Sequence, residues 1–259
     1  MSLPRPILLE GEVGVGKTEA AKVLASVFGR RLIRLQCYEG IDTNQALYEW
    51  DYARQMLAIR ALSERQVAAE DAVDQLFGPK FLLERPLLAA VRAGDQAVLL
   101  IDEVDRADDE FEAFLLEVLS DFQVSIPEIG TITAPAPPLV VLTSNRTREL
   151  HDALKRRCLY HWIGYPSAER EVEIVLIKEP GVSQALARKV VAAVHRLREL
   201  DLAKPPGVAE TIDWARTLDL LGGTDLDPQL AQDTLGAVVK ERDDLDLVQE
   251  NLEEITSGA

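Results

Sequence analysis

The chain has 259 residues and a formal net charge of −16 at pH 7. This length accommodates one large domain or a domain with a small companion, and no apolar run is long enough to cross a bilayer. The acidic balance argues against a generic nucleic-acid binder, which normally carries a basic face. The two cysteines are too few for a disulfide framework and predict a reducing, cytoplasmic environment.

Two predicted strands and a helix open the chain. The apolar run Arg5–Glu10 predicts a buried strand, Glu19–Phe28 has apolar residues at helical spacing, and Arg30–Cys37 predicts a second strand. Asp42 followed by Gln45 is typical of a helix start. The predicted helix has an apolar face made of Leu47, Trp50, Ala53, Met56 and Leu57.

The next stretch is less regular. Ser63–Phe77 is polar and gives no clear pattern, while Phe81–Val91 has helical periodicity with Pro86 as a candidate interruption.

More strands follow in the middle of the chain. Ala97–Glu103 is a continuous apolar run ending in two acids, as expected for a central parallel strand covered on both faces. Asp108 predicts the N-cap of a helix with an acidic first turn, and a hairpin is predicted with its turn near Pro127–Gly130. The remaining elements are a buried strand at Leu139–Asn145, a helix at Thr147–Arg157 and a fifth strand in CLYHWIGY.

Beyond Pro166–Ser167 only helices are predicted, at Ser167–Lys178, Ser183–Leu200 and Ala209–Leu221, with two more near the end. Alternating strands and helices followed by helices alone predict an α/β domain over residues 1–165 and a small all-α lid domain over residues 166–259. The α/β domain is expected to have a parallel sheet with flanking helices.

The glycine-rich loop has the spacing of a phosphate-binding site. Gly11, Gly16, Lys17 and Thr18 fit the pattern G-x-x-x-x-G-K-[ST] between a predicted strand and a predicted helix. Glycines let backbone N–H groups face phosphate oxygens, and the helix N-terminus adds its positive dipole end. Lys17 is expected to reach the β- and γ-phosphates. The predicted nucleotide contacts are Gly11, Glu12, Val13, Gly14, Val15, Gly16, Lys17, Thr18 and Glu19.

The acids at the end of the middle strand suit metal binding and hydrolysis. In a P-loop enzyme an Asp in this place helps to hold Mg²⁺, and a neighbouring Glu can polarise the attacking water as a general base. We therefore predict Thr18 and Asp102 at the metal and Glu103 as the catalytic base. The alternative is an acidic strand end that caps a loop.

These motifs resemble those of AAA+ ATPases, which are P-loop NTPases. GEVGVGKT, VLLIDE and LTSN correspond to Walker A, Walker B and the end of a third strand. IDEVDRADDEFEAFLLEVLSDFQVSIP resembles the MoxR family, in which a hairpin follows the Walker B helix. LQCYEGIDTNQALYEWDYARQML is similar to the CoxD-like subgroup of MoxR ATPases. The resemblance covers the chain from about Arg5 to Trp214.

The resemblance implies roles for further polar residues. Asn145 falls at sensor 1, where an Asn bonds the γ-phosphate and the lytic water; the alternative is an ordinary helix cap. Arg157, with Arg156 as second choice, falls at the arginine finger, which acts on the ATP of a neighbouring subunit. The alternative for both is a solvated basic helix end. Arg146 and Arg148 are weaker candidates.

Sensor 2 departs from the family pattern. The expected helix start offers Ala209-Glu210 in place of an arginine. Arg216 is the substitute candidate for contacting the nucleotide, and the alternative is a surface arginine on an amphipathic helix.

The three tryptophans, Trp50, Trp162 and Trp214, are predicted to lie in the core. Leu245, Val248, Leu252 and Ile255 form a heptad-like stripe that is predicted to pack within the lid.

The resemblance implies a Mg²⁺-dependent ATPase that forms a six-membered ring of identical chains and remodels a client protein. For the CoxD-like subgroup the client is a molybdenum-containing CO dehydrogenase or a related hydroxylase, with a von Willebrand A-domain partner. The alternatives are an ATP-binding ring subunit with little hydrolysis and a DNA-processing AAA+ motor.

Overall fold

The computed structural model describes residues 5–64 and 76–256. The chain divides into two compact units. The first holds the residues up to Glu10 and those from Lys17 to Trp162; the second holds Gly11–Gly16 and the residues from Ile163 onward. The domain boundary after residue 165 stays a prediction.

Five strands of the described chain form one sheet: β1 (Ile7–Gly11), β2 (Arg31–Gln36), β5 (Ala97–Asp102), β8 (Leu139–Ser144) and β9 (Leu159–Ile163). Their order is β2-β5-β8-β1-β9. The pairs β2–β5, β5–β8 and β1–β8 are parallel, so the carboxyl ends of these strands lie at one edge. Every residue of β5 is buried, which confirms the strand predicted from its continuous apolar run.

In the described residues the helices of the first unit are α1 (Lys17–Val27), α2 (Thr43–Ala46), α3 (Tyr52–Glu64), α4 (Pro86–Ala93), α5 (Asp109–Asp121) and α6 (Asp152–Arg157). Asp108 caps α5 as predicted, since its carboxylate accepts a hydrogen bond from the Phe111 N–H at 2.8 Å. The predicted hairpin is confirmed as β6 (Gln123–Ile126) and β7 (Gly130–Thr133).

The long helix predicted after Asp42 is wrong. Asp42 and Gln45 do form a capping box, but α2 ends at Ala46. A short strand, β3 (Tyr48–Trp50), then pairs antiparallel with β4 (Leu82–Glu84). Because the strand interrupts the helical register, the predicted apolar face does not form: Met56 and Leu57 are 60% and 68% exposed.

The helix predicted over Phe81–Val91 is confirmed only from Pro86, the candidate interruption, and is wrong before it. Its first part is strand β4, and Pro86 is the first residue of α4. Proline is favoured there because its missing N–H has no partner in the first helical turn. Most of the unassigned stretch Ser63–Phe77 lies outside the described residues.

Of the segment Thr147–Arg157, which was predicted to be one helix, only the last part is helical and forms α6. Trp162 is 40% exposed and lies beneath the Arg146 guanidinium, 5.8 Å from the ring centroid. Its placement in the core was therefore wrong. Trp50 and Trp214 are buried as predicted.

The second unit is helical after Ile163. Its helices in the described residues are α7 (Ala168–Lys178), α8 (Gln184–Glu199), α9 (Val208–Leu220), α10 (Pro228–Thr234), α11 (Arg242–Glu250) and α12 (Leu252–Thr256). Three of them follow Asp227, where two were predicted. The predicted apolar stripe is confirmed, because Val248, Leu252 and Ile255 are buried in the core of this unit and Leu245 packs against it. Among the described helices, none has the length and apolarity needed to span a bilayer.

Candidate nucleotide-binding site

The glycine loop adopts a backbone that suits phosphate binding. Gly14 and Gly16 have φ angles of +77° and +94°, a left-handed region that favours glycine. A Cβ built on Gly16 would meet nothing within 4 Å, so the space beside it is open. α1 begins at Lys17, directly after the loop, and a helix N-terminus favours the binding of an anion. The loop therefore fits a phosphate group.

The start of α9 lies against this loop within the second unit. The Val208 N–H donates to the Gly14 carbonyl at 3.2 Å, and the Glu210 carboxylate accepts from the Gly207 N–H at 2.9 Å. A Cβ on Gly14 would lie 3.0 Å from the Gly207 Cα and 3.1 Å from a Glu210 carboxylate oxygen. Glu210, at the expected sensor 2 position, therefore caps the helix start next to the loop.

Asp102 is the centre of a polar cluster at the carboxyl end of β5. It is 2% exposed. The Thr18 hydroxyl lies 3.0 and 3.2 Å from its two carboxylate oxygens, and the Thr143 hydroxyl donates to Oδ1 at 2.5 Å. Arg34 forms an ion pair with Oδ2 at 2.6 Å. The structure thus brings together Thr18 and Asp102, the two residues predicted at the metal.

Glu103 has an unusual backbone conformation. Its φ of +54° and ψ of +49° are left-handed, which is costly for a residue other than glycine and occurs often at functional sites. Its N–H donates to the Thr143 hydroxyl at 2.9 Å. Its side chain is partly exposed and lies 3.5 Å from the Arg106 guanidinium. Thr143 thus links the backbone of Glu103 to the carboxylate of Asp102.

A buried carboxylate holds the segment that carries Asn145. Asp105 Oδ2 accepts from the N–H groups of Asn145 and Thr147, at 3.2 and 2.8 Å, and from the Thr147 hydroxyl at 2.7 Å. Asp105 follows β5 by a short turn and Asn145 follows β8, so this contact aligns the ends of two neighbouring strands. The Asp105 side chain is a positioning group for Asn145.

A family model for the AAA domain (dynein-related subfamily) matches residues 6–158, more than half of the chain. The chain belongs to the AAA domain family. It is 29% identical over 203 residues to the chaperone MoxR1 of Mycobacterium tuberculosis, covering 76% of this chain and 46% of MoxR1. It is 25% identical over 236 residues to the denitrification regulatory protein NirQ of Pseudomonas aeruginosa, covering 87% of this chain and 79% of NirQ.

Less than half the length of MoxR1 is thus matched, and these relatives support the MoxR resemblance at low identity. The RuvB Holliday junction branch migration motor of Thermotoga maritima has a similar fold, with a TM-score of 0.51, 16% identity and coverage of 98% of this chain and 70% of that chain. This likeness confirms the predicted P-loop AAA fold. The narrower CoxD-like assignment stays a prediction.

The candidate arginine fingers of this AAA domain differ in how strongly their side chains are bonded to other groups of the chain. Arg157 donates to the Leu116 carbonyl at 2.7 Å and contacts Ser120, so it is already bonded to α5. Arg156 is exposed and lies 4.0 Å from Asp152.

The other candidate arginines also have partners within the chain. Arg148 contacts buried Glu112 and donates through Nε to the Ala107 carbonyl at 2.8 Å. Arg146 stacks on Trp162, as described above. Arg216, the sensor 2 candidate, is exposed and lies 3.9 Å from Glu179.

Negative charge is concentrated at the Walker B end of the sheet. Burial, together with the nearby carboxylates of Asp102, Asp105 and Glu103, raises the pKa of the Cys37 thiol to about 12. Such a field disfavours another anion and favours a cation.

The donors present fit Mg²⁺. Thr18 Oγ1 and the Asp102 carboxylate are hard oxygen ligands, 3.0 Å apart at the closest. Among the described residues no group of three or more His, Cys, Asp or Glu forms a metal cage. Mg²⁺ in nucleotide sites is normally bound by one or two protein oxygens together with phosphates and waters, so this sparse set is the expected one.

Sequence reasoning missed Thr143, Asp105 and Arg34. A signal was present for two of them. Thr143 lies in LTSN, next to the predicted end of a strand, and Arg34 is a charged residue between the apolar residues Ile33 and Leu35 of β2. Their contacts with Asp102 depend on which strands are neighbours, and the sequence pattern did not specify the strand order.

Proposed function

We propose that this chain is a Mg²⁺-dependent ATPase that binds ATP on Gly11–Thr18. The observation that carries the proposal is the Asp102 cluster: a buried carboxylate bonded to the Thr18 hydroxyl, immediately before Glu103 and tied to it through Thr143. Membership of the AAA domain family supports the same function.

The residues have distinct roles in the proposed reaction. Mg²⁺, when bound through Thr18 and Asp102, supplies positive charge to the phosphate oxygens. Lys17 neutralises the same oxygens from the start of α1. Glu103 accepts the proton of the attacking water, and Asn145 orients that water.

Phosphate release at saturating ATP and Mg²⁺ tests this proposal. Glu103→Gln should lower kcat by about 10²–10⁴-fold, the usual contribution of a general base, while nucleotide affinity is retained. Glu110→Gln, which removes an exposed acid from the first turn of α5, is the matched control and should keep the wild-type rate. Equal rates for Glu103→Gln and the wild type would remove Glu103 from catalysis.

Nucleotide binding is tested separately from hydrolysis. ATP at about 100-fold over its Kd should raise the free energy of unfolding by about 2.7 kcal/mol. Lys17→Ala should lose most of this gain because the lysine charge faces the phosphates. A full gain in Lys17→Ala would contradict the assignment of the loop.

We further propose a homo-oligomeric ring, hexameric by the AAA+ resemblance, in which Arg157 or Arg156 reaches the ATP of a neighbouring subunit. If so, mixing Glu103→Gln subunits with Arg156→Ala or Arg157→Ala subunits should restore activity at those interfaces where intact residues meet. Activity that only falls in proportion to the inactive subunits would contradict a finger supplied by the neighbour.

The proposed biological role is to remodel a client protein in the cytoplasm, which the name of the chaperone MoxR1 supports. The narrower proposal, from the CoxD-like resemblance, is maturation of a molybdenum-containing CO dehydrogenase or a related hydroxylase with a von Willebrand A-domain partner. Co-purification with Glu103→Gln, with and without ATP, tests it. A client outside this enzyme class would contradict the narrower proposal alone.

A second candidate function is an ATP-binding ring subunit with little hydrolysis. It is favoured by the Glu210 carboxylate beside Gly14, where an AAA+ lid is expected to provide an arginine. Under this alternative Glu103→Gln leaves phosphate release unchanged while ATP still stabilises the protein. A DNA-processing motor is disfavoured by the net charge of −16, and stimulation of phosphate release by DNA alone would support it.

A further inference from the structure

The positively charged side chain of Arg34 lies against the Asp102 carboxylate. The roles proposed above assign no function to this arginine. Arg34 belongs to β2, at the edge of the sheet, and its Nη2 lies 2.6 Å from Asp102 Oδ2. The same guanidinium contacts the Gln36 side chain, and Gln36 is the register partner of Asp102 in the β2–β5 pair. Arg34 therefore has two acceptors at the carboxyl end of the sheet.

The groups around Asp102 differ in how firmly they are held. The Thr143 hydroxyl belongs to a buried residue of β8, and Thr18 lies in the first turn of α1. The Arg34 side chain is 50% exposed, whereas that of Asp102 is only 3% exposed. Of these groups the guanidinium can leave at the least cost, because water can solvate it in a new position.

We propose that Arg34 neutralises Asp102 while Mg²⁺ is absent and leaves it when the metal binds, so that Arg34 sets the Mg²⁺ concentration at which nucleotide binds. This inference rests on the proposed nucleotide site. A buried carboxylate without a cation is strongly unfavourable, so the ion pair stabilises the metal-free protein. Two cations beside one carboxylate repel each other, so the same ion pair opposes Mg²⁺.

The test is a Mg²⁺ titration of the binding of a fluorescent ADP analogue, which needs no hydrolysis. Arg34→Gln should lower the midpoint Mg²⁺ concentration about threefold to tenfold, the range expected for a half-exposed pair with one buried partner. Arg34→Lys keeps the charge but loses the planar guanidinium that contacts both acceptors. Its midpoint Mg²⁺ concentration should therefore lie between that of the wild type and that of Arg34→Gln. Arg31→Gln, an equal charge change at an exposed position of β2, should leave the midpoint unchanged.

A second measurement asks whether the effect passes through Asp102. In nucleotide-free protein without Mg²⁺, Arg34→Gln should lower Tm by about 2–4 °C, as for the loss of one modest interaction in a chain of this size. In an Asp102→Asn background the same substitution should have no effect on Tm, because the ion pair is already absent.

The outcomes separate this inference from the proposed function. A midpoint in Arg34→Gln that equals or exceeds that of the wild type overturns the role of Arg34, and so do Tm changes that simply add in the double variant. Wild-type protein that fails to bind the ADP analogue at any Mg²⁺ concentration overturns the proposed nucleotide site instead.

Discussion

Replacing Thr143 by valine would test how the acids of the site are held together. Thr143 is 1% exposed. Its hydroxyl donates to Asp102 at 2.5 Å and accepts the N–H of Glu103 at 2.9 Å. Valine has nearly the same shape and lacks the hydroxyl, so Thr143→Val removes both hydrogen bonds and leaves little cavity.

The expected loss follows from the two hydrogen bonds. A hydrogen bond to a charged group contributes about 1.5–3 kcal/mol, and a buried donor left without a partner costs about 1–3 kcal/mol. Thr143→Val should therefore lower the free energy of unfolding of the first unit by about 3–5 kcal/mol. Thr143→Ser keeps the hydroxyl and loses one methyl group, which corresponds to about 1 kcal/mol.

Urea unfolding of both variants measures this difference, and hydrogen exchange of the β5 amides reports the first unit by itself. The Glu103 amide should exchange faster in Thr143→Val because it loses its acceptor. Phosphate release should fall by about 10²-fold, the effect of a small displacement of a catalytic group. A free energy of unfolding for Thr143→Val within about 1 kcal/mol of that for Thr143→Ser would refute the reasoning, since the bridging hydroxyl would then add no net stability.

Three further predictions concern the buried carboxylate of Glu171 in the second unit, the buried thiol of Cys37 and the glycine loop. Burial raises the pKa of Glu171, but hydrogen bonds from Arg198 at 2.7 and 2.8 Å and from Thr211 outweigh this and hold its pKa below the usual value. The resulting stability is present above the unfolded pKa of about 4.3 and is lost as pH falls through the folded pKa. Glu171→Gln should lower the free energy of unfolding by about 3 kcal/mol at pH 7, and the stability of the variant should depend less on acid pH than that of the wild type. A wild-type free energy of unfolding, measured with urea, that stays the same between pH 7 and pH 3 would contradict this. With its pKa raised to about 12, Cys37 should react with iodoacetamide at pH 8 at least about a hundredfold more slowly than in unfolded protein, whereas equal labelling rates would show that its burial is wrong. Gly14→Ala should lower stability by about 1–2 kcal/mol and weaken nucleotide binding because the loop must remain left-handed at this position; a Tm and an affinity equal to the wild type would rule out that strain.

Local signals were sufficient for several features of the fold and the site. The glycine loop, the buried strand ending in Asp102 and Glu103, the Asp108 cap and the hairpin after α5 are each encoded within a few neighbouring residues. Turn residues, caps and apolar runs act over such short distances, so a single sequence determines them. The roles of the loop and of the two acids follow from the same short segments and stay predictions until tested.

The tertiary structure decided the features that depend on distant pairing. Tyr48–Trp50 forms a strand because Leu82–Glu84 pairs with it, so the helix that Asp42 caps ends at Ala46. Trp162, which was predicted to lie in the core, is 40% exposed on β9. Arg34 and Thr143 contact Asp102 only because their strands, β2 and β8, lie on either side of β5 in the sheet. Apolar patterning fixes which segments form strands, whereas the order of the strands depends on how the whole chain packs, and that order determines which polar side chains share the site.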